Sequence, residues 1–158
     1  MGWGFDAHRL DGDPPLKLGG VVVSATHGVS ATSDGDLLAH AVTDALMGAA
    51  VLGDIGEHFP SDDPLMSNVD SMFLLRQAAT MATAAGWAVS HVDVTVVAEG
   101  IRVSPHREAI VANVADSLAA TVSSVSVKAT TTDGLGFIGR GEGLAAIAVV
   151  TVVRTPPG

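Results

Sequence analysis

Asp6 and His8 stand two positions apart in Gly2-Trp3-Gly4-Phe5-Asp6-Ala7-His8, and His40 follows the acidic turn Thr32-Ser33-Asp34-Gly35-Asp36. In an extended strand side chains alternate faces, so Asp6 and His8 point the same way, with Cα atoms about 6.5 Å apart. That spacing lets one carboxylate oxygen and one imidazole nitrogen converge on a single ion, each at about 2.0–2.2 Å. Two nitrogens, one oxygen and an open position describe a working Zn²⁺ site, whereas a structural site is normally closed by four protein ligands. Asp36 and Asp44, one helical turn either side of His40, each offer a carboxylate to its second N–H, as metal-bound histidines usually require. Taken alone, Asp-x-His also fits a capping Asp beside a hydrogen-bonded His. Gly2 and Gly4 share the Asp6 face, where they would let backbone or ligand approach closely, or are simply tolerated near a terminus.

Two loops carry a different chemistry. In Ala129-Thr130-Thr131-Thr132-Asp133-Gly134-Leu135-Gly136-Phe137-Ile138-Gly139-Arg140-Gly141-Glu142-Gly143, three hydroxyls, flexible backbone N–H groups and Arg140 can cradle phosphate oxygens. Asp133 is a hard oxygen donor suited to Mg²⁺, which takes one or two carboxylates plus substrate phosphates. A plain surface hairpin is the competing reading. Ala98-Glu99-Gly100-Ile101-Arg102-Val103-Ser104-Pro105-His106 leads from a strand into a helix, so its N–H groups suit an anion or a base edge, or merely connect the two elements. His27, His58 and His91 read as solvated or locally satisfied, and no Ser-His-Asp order, P-loop or Rossmann fingerprint is present.

These residues need a scaffold. Strands are predicted over 1–8, 16–24 (short, or a hairpin arm), 89–98, 125–131 and 144–153, with an intervening turn over 11–15. Ser33, with Asp36 three residues on, reads as the cap of a helix running to about 51. Residues 53–64 are too rich in Gly, Pro and Asp to be regular, and so long a loop is commonly functional. Asn68 or Asp70 caps a helix over 71–85 that Gly86 ends, and Ser104-Pro105 opens another over 106–120. Residues 133–143 form a Gly-rich loop, and Pro156-Pro157-Gly158 a tail. The order β-β-α-α-β-α-β-β, without linker or repeat, implies one domain over 1–158. Its fold class is an α+β two-layer sandwich, a mixed sheet covered by helices on one face.

Composition narrows the function. At 158 residues the chain is long enough to bury about 68–70% of its unfolded surface. Its apolar fraction of 47% and mean hydropathy of +0.42 are high for a lone monomer, which implies an oligomer. A net charge of −9, from 17 acidic and 8 basic side chains, disfavours nucleic acid and anionic membranes as partners. An anionic substrate must then be held by metal ions, N–H groups and a few placed cations. Cysteine is absent, which excludes disulfides and thiolate chemistry. With neither a signal-peptide pattern nor a run of about 20 apolar residues, the expected compartment is the cytoplasm.

With these residues in view, the chain resembles the 2-C-methyl-D-erythritol 2,4-cyclodiphosphate synthase family of the non-mevalonate isoprenoid pathway. The matching pieces are Gly2-x-Gly4-Phe5-Asp6-x-His8, Ser33-Asp34-Gly35-Asp36 with His40, Thr43-Asp44-Ala45, Leu52-Gly53-Asp54-Ile55-Gly56, Phe59-Pro60 and Asp63-Pro64. Val92-Asp93-Val94-Thr95, Val127-Lys128-Ala129-Thr130-Thr131-Thr132, Gly136-Phe137 and Gly139-Arg140-Gly141-Glu142-Gly143 complete the set.

The resemblance implies a homotrimer with active sites between subunits, acting on 4-diphosphocytidyl-2-C-methyl-D-erythritol 2-phosphate. The 2-phosphate would attack the β-phosphorus, releasing CMP and closing a cyclic diphosphate. By position, Asp6, His8 and His40 would bind Zn²⁺, and Asp133 would hold Mg²⁺ or Mn²⁺ where the family usually has Glu. Asp54 and Gly56 would contact the erythritol hydroxyls, with Ser33, Ile55, Phe59 and Asp63 beside them. The loop from Ala98 to Ser104, with Thr130 to Asp133, Phe137 and Arg140, would hold the cytidine and phosphates. Thr131 stands at a catalytic position. Its partner in the family is a His, replaced here by Thr32, which implies slower turnover or a compensating donor such as His27 or His58. A trimeric small-molecule sensor on the same scaffold, with Thr32 marking lost activity, and a zinc phosphohydrolase are the rival readings.

Overall fold

The computed structural model describes residues 1–155, and the Pro156-Pro157-Gly158 tail lies outside them. A four-stranded sheet is built from β1 (Gly2–Arg9), β6 (Gly143–Arg154), β4 (Trp87–Val97) and β5 (Val125–Thr130), in that spatial order. β6 runs antiparallel to both β1 and β4, while β4 and β5 are parallel. A parallel pair needs a crossover, and helix α4 (Arg107–Ser117) supplies it. The sheet is therefore mixed and the fold α+β. The short strands β2 (Leu16–Leu18) and β3 (Val21–Ser24) form a separate hairpin, as a turn at Gly19-Gly20 with positive φ allows.

One face of the sheet carries the core. Leu144, Ala146, Ala148 and Val150 on β6 and Val92, Val94 and Val96 on β4 are fully or almost fully buried. Helix α1 (Leu37–Ala50) and helix α3 (Ser71–Ala84) contribute Leu38, Val42, Leu46 and Leu75 to the same cluster. The glycines of β1 decide how closely α1 lies. A Cβ on Gly2 would fall 2.1 Å from the Ala45 carbonyl oxygen, and one on Gly4 2.1 Å from that of Ala41. No side chain fits between strand and helix there, so both glycines serve backbone approach. On the opposite face Trp3 and Phe5 are 63% and 49% exposed, their rings stacked at 6.2 Å.

Four predicted features differ. Asp36, not Ser33, caps α1, because its carboxylate accepts from Ala39 N at 3.1 Å and also from Gly19 N and Gly20 N at 2.9 and 2.7 Å. One buried side chain thus starts the helix and pins the hairpin to it. The 53–64 loop holds a helical turn, α2 (Ile55–His58), capped by Asp54, and the Gly-rich loop holds another, α5 (Gly136–Gly139). α4 is shorter than predicted: Ser104–His106 is a 3-10 turn, and Ala119 has φ +50° beyond its end. No helix among the described residues is long and apolar enough to cross a membrane.

Candidate active site

The close strand–helix contact sets up the site. Ala45 lies over Gly2 and Ala41 over Gly4, and His40, the residue before Ala41, reaches Asp6 two places further along the strand. Asp6 Oδ2 is 2.9 Å from His40 Nδ1 and 3.1 Å from His8 Nε2, and the three ligand atoms lie within 4.8 Å of one another. The two imidazoles meet edge to face at 5.7 Å, which turns one nitrogen of each toward the carboxylate. Burial pushes the Asp6 carboxyl up, but hydrogen bonds to His40 and His8 and their charge outweigh it, holding the group well below the usual carboxylate range. His8 Nε2, 3.1 Å from that carboxylate but badly aligned with it, is buried without a good hydrogen-bond partner. An orphaned imidazole nitrogen beside a second nitrogen and an ionised oxygen is a donor set that fits a divalent metal ion.

Neither Asp36 nor Asp44 receives the other N–H of His40. Asp36 is committed to the hairpin, and the Asp44 carboxylate accepts weakly from Ile55 N at 3.4 Å. His40 Nε2 instead lies 2.9 Å from Ser71 Oγ and 3.2 Å from Ser33 Oγ, and Ser71 Oγ donates to Asp34 Oδ1 at 2.5 Å. Ser71 was invisible to sequence reasoning because it belongs to another helix, 31 residues away. Asp34, inside the acidic turn, was quoted there without a role.

A cavity of about 510 Å³ opens over the triad. Asp6, His8, Thr32, Ser33, His40, Asp54, Ile55, Gly56 and Phe59 all line it, so the structure gathers most of one predicted group. Asp63 lies beyond that lining, its N–H bonded to Pro60 O at 3.1 Å. The suggested substitutes for the missing imidazole are also elsewhere. His58 Nε2 is 2.7 Å from Leu52 O, His27 Nδ1 is 2.8 Å from Ser24 Oγ, and neither lines the cavity.

The second predicted group assembles separately. Glu99 Oε1 accepts from Thr132 N, Thr132 Oγ1 and Gly134 N at 3.1, 3.4 and 3.2 Å, clamping the 130–134 loop to the 98–104 loop. Thr131 Oγ1 and Asp133 Oδ1 are 3.3 Å apart, and Asp133 sits at φ +52°. Within that connection Ala98 and Val103 are buried, Glu99 and Ile101 half-buried, and Gly100, Arg102 and Ser104 exposed. Arg140 pairs with Glu142 at 2.7 Å, and Phe137 lines a smaller hollow with His8 and Arg9. None of Ala98–Ser104 or Thr130–Asp133 lines the cavity over the triad. The reason is topological: Asp6 pairs with Ala146, Ala146 with Val96 and Val96 with Ala129. The two groups thus share one end of the sheet but occupy opposite edges, about 14 Å apart at three strand spacings.

The YgbB family model matches residues 1–153. The 2-C-methyl-D-erythritol 2,4-cyclodiphosphate synthase of Bordetella pertussis is 50% identical over 154 residues, spanning 98% of this chain and 95% of its own. The protein of the same name from Alkalilimnicola ehrlichii is 51% identical over 156 residues, spanning 98% and 94%. Among solved structures, a CDP complex of IspF from Plasmodium falciparum superposes with a TM-score of 0.84 at 30% identity, covering 98% of this chain and 96% of that one. The bifunctional IspDF of Campylobacter jejuni superposes with a TM-score of 0.94 at 42% identity, and this chain spans 97% of itself but 42% of that longer protein.

Proposed function

Because the chain belongs to the YgbB family, we propose that it performs the reaction for which its relatives are named. It converts 4-diphosphocytidyl-2-C-methyl-D-erythritol 2-phosphate to 2-C-methyl-D-erythritol 2,4-cyclodiphosphate with release of CMP. The observation that carries this reading is the convergence of Asp6, His8 and His40 within 4.8 Å on a cavity that Asp54 and Gly56 also line.

The reaction needs no protein nucleophile. An oxygen of the 2-phosphate forms a bond to the β-phosphorus, the bond from that phosphorus to the bridging oxygen breaks, and CMP leaves with the oxygen. The barrier is repulsion between anions and their orientation, and two cations of the kind this chain can hold would supply charge neutralisation. Asp6, His8 and His40 would hold Zn²⁺, and Asp133 would hold Mg²⁺ or Mn²⁺ together with substrate phosphates. Asp54, Ile55 and Gly56 orient the erythritol portion, with Thr32, Ser33 and Phe59 walling the cavity. Glu99 holds the loop that presents Thr130, Thr131, Thr132 and Asp133, while Phe137 stands in the hollow beside His8 and Arg9, where Arg140 pairs with Glu142. Thr32 and Thr131 donate hydroxyls toward the transferring phosphoryl oxygens. Holding attacking and leaving groups on one bound molecule supplies the proximity contribution.

A complete site needs both groups, and one chain keeps them at opposite sheet edges. We read the molecule as a two-layer sandwich whose bare face, with Trp3 and Phe5 at its surface, closes against two further copies in a homotrimer. The triad of one copy then meets the Glu99 loop of its neighbour. The test is CMP release from the authentic substrate with Zn²⁺ and Mg²⁺ present. CMP and cyclic product in equal amounts are expected. Binding without turnover would favour a sensor, and release of inorganic phosphate from simple esters a phosphohydrolase.

A further inference from the structure

We infer that Ser71 and Asp34 are positioning residues that fix the tautomer of His40 and so aim its Nδ1 lone pair at the metal site. The inference rests on the reading that the triad holds a metal, and goes beyond it by assigning work to two side chains that touch neither metal nor substrate.

Counting protons carries the argument. Asp34 Oδ1 accepts two bonds from one residue, from Ser71 N at 3.2 Å and Ser71 Oγ at 2.5 Å. A hydroxyl has one proton, and Ser71 has given it to the carboxylate. Toward His40 Nε2, 2.9 Å away, Ser71 Oγ can therefore only accept. A bond between them needs hydrogen on Nε2, and a neutral imidazole so protonated leaves Nδ1 bare for a metal. Nδ1 stands 2.9 Å from Asp6 Oδ2, inside the triad, so in the metal-free protein the Asp6 carboxylate competes for the proton that Ser71 draws to Nε2.

The surroundings hold this chain of bonds in place. Ser71 is fully buried at the first turn of α3, so water does not compete for its oxygen. Asp34 N donates to Val69 O at 3.1 Å, and Lys17 Nζ lies 3.8 Å from its second oxygen. Ser33 Oγ, 3.2 Å from Nε2, accepts from Gly35 N and so offers a second lone pair compatible with Nε2–H. Ser71 on that side of the ring thus selects Nε2–H, and Ser33, whose hydroxyl can accept or donate, permits it. Metal-bound histidines commonly depend on such a partner, at a cost of about 10–100-fold in affinity when it is lost.

The test uses the full-length assembled chain and three variants, Ser71→Ala, Ser71→Thr and Asp34→Asn. Zn²⁺ affinity is measured by competition with a chromophoric chelator, Co²⁺ ligation by its visible absorption, and the His40 tautomer by long-range ¹⁵N–¹H NMR of the metal-free protein where imidazole is neutral. Ser71→Ala is expected to weaken Zn²⁺ binding about 10–100-fold and to shift the tautomer balance toward Nδ1–H, while thermal unfolding stays near wild type. Ser71→Thr, which keeps the hydroxyl, restores both. Asp34→Asn keeps shape but can turn an amide N–H toward Ser71, releasing its hydroxyl proton to His40. Its tautomer shifts toward Nδ1–H even if Ser71→Ala fails to fold. Unchanged Zn²⁺ affinity, Co²⁺ spectrum and tautomer in Asp34→Asn overturn the inference. A wild-type protein that takes up no Zn²⁺ overturns the metal reading instead, and the tautomer spectrum alone then decides the role of Ser71.

Discussion

The carbonyl oxygen of Ala41 occupies space that a Cβ on Gly4 would need, 2.1 Å from it, and this contact sets the distance between Asp6 and His40. β1 and α1 touch backbone to backbone at Gly2 and Gly4, and two residues further along the strand the first side chain large enough to meet the helix is a metal-ligand candidate. Gly4→Ala is therefore expected to push α1 outward and separate Asp6 from His40. Overpacking of this kind costs about 1–3 kcal/mol. Thermal unfolding should move down by that amount, and bound Zn²⁺ per chain should fall, in an otherwise folded protein. Full Zn²⁺ loading with unchanged stability would show that the helix does not depend on this contact.

The opposite placement of the two residue groups predicts complementation between subunits. His40→Ala removes a triad member and Thr131→Ala removes a hydroxyl of the far-edge loop, so each variant alone should be inactive. Mixed trimers formed by refolding the two together should regain activity, with roughly a quarter of the sites carrying both intact halves at equal input. Lack of recovery in a verified mixed trimer would place each site within one chain.

Glu99 is expected to act through loop placement. Only one of its oxygens accepts the three bonds from Thr132 and Gly134, and an amide oxygen can do the same. Glu99→Gln should thus keep KM within a few-fold of wild type, whereas Glu99→Ala should raise KM about tenfold or more, by about 1.4 kcal/mol. Steady-state kinetics of the two variants separate this from a charge effect, in which Gln and Ala would behave alike.

The depressed ionisation of Asp6 has a consequence for the metal-free protein. A carboxyl whose folded pKa lies below its unfolded value contributes stability that is present above about pH 4 and lost as pH falls through the folded value. Asp6→Asn should therefore narrow the stability gap between pH 5 and pH 2, as denaturant unfolding at each pH would record. Parallel curves for wild type and variant would contradict the assignment.

Much of the candidate site was legible because it is local. Asp6 and His8 alternate on one strand, and His40 follows a recognisable helix start, so residue type and period locate all three. The Gly2 and Gly4 pattern also pointed to a close approach, and α1 is what approaches. What sequence could not supply depended on long-range placement. The choice of Asp36 rather than Ser33 as cap reflects its bonds to Gly19 and Gly20 in a hairpin that propensity does not foresee. Ser71 reaches His40 only because α3 packs against α1, and two intervening elements separate them in the chain. Asp36 and Asp44 have suitable spacing from His40, yet Asp36 is taken up by Gly19 and Gly20 and Asp44 meets Ile55 N. The separation of the Glu99 loop from the triad follows from strand order, which no local pattern encodes.

The most direct measurement is an anomalous difference map from crystals grown with Zn²⁺, recorded on both sides of the zinc absorption edge. A peak present only above the edge, within about 2.0–2.2 Å of Asp6 Oδ2, His8 Nε2 and His40 Nδ1, is the expected result. A map with zinc elsewhere, or with those three side chains bonded only to one another, would contradict a metal-centred cyclisation.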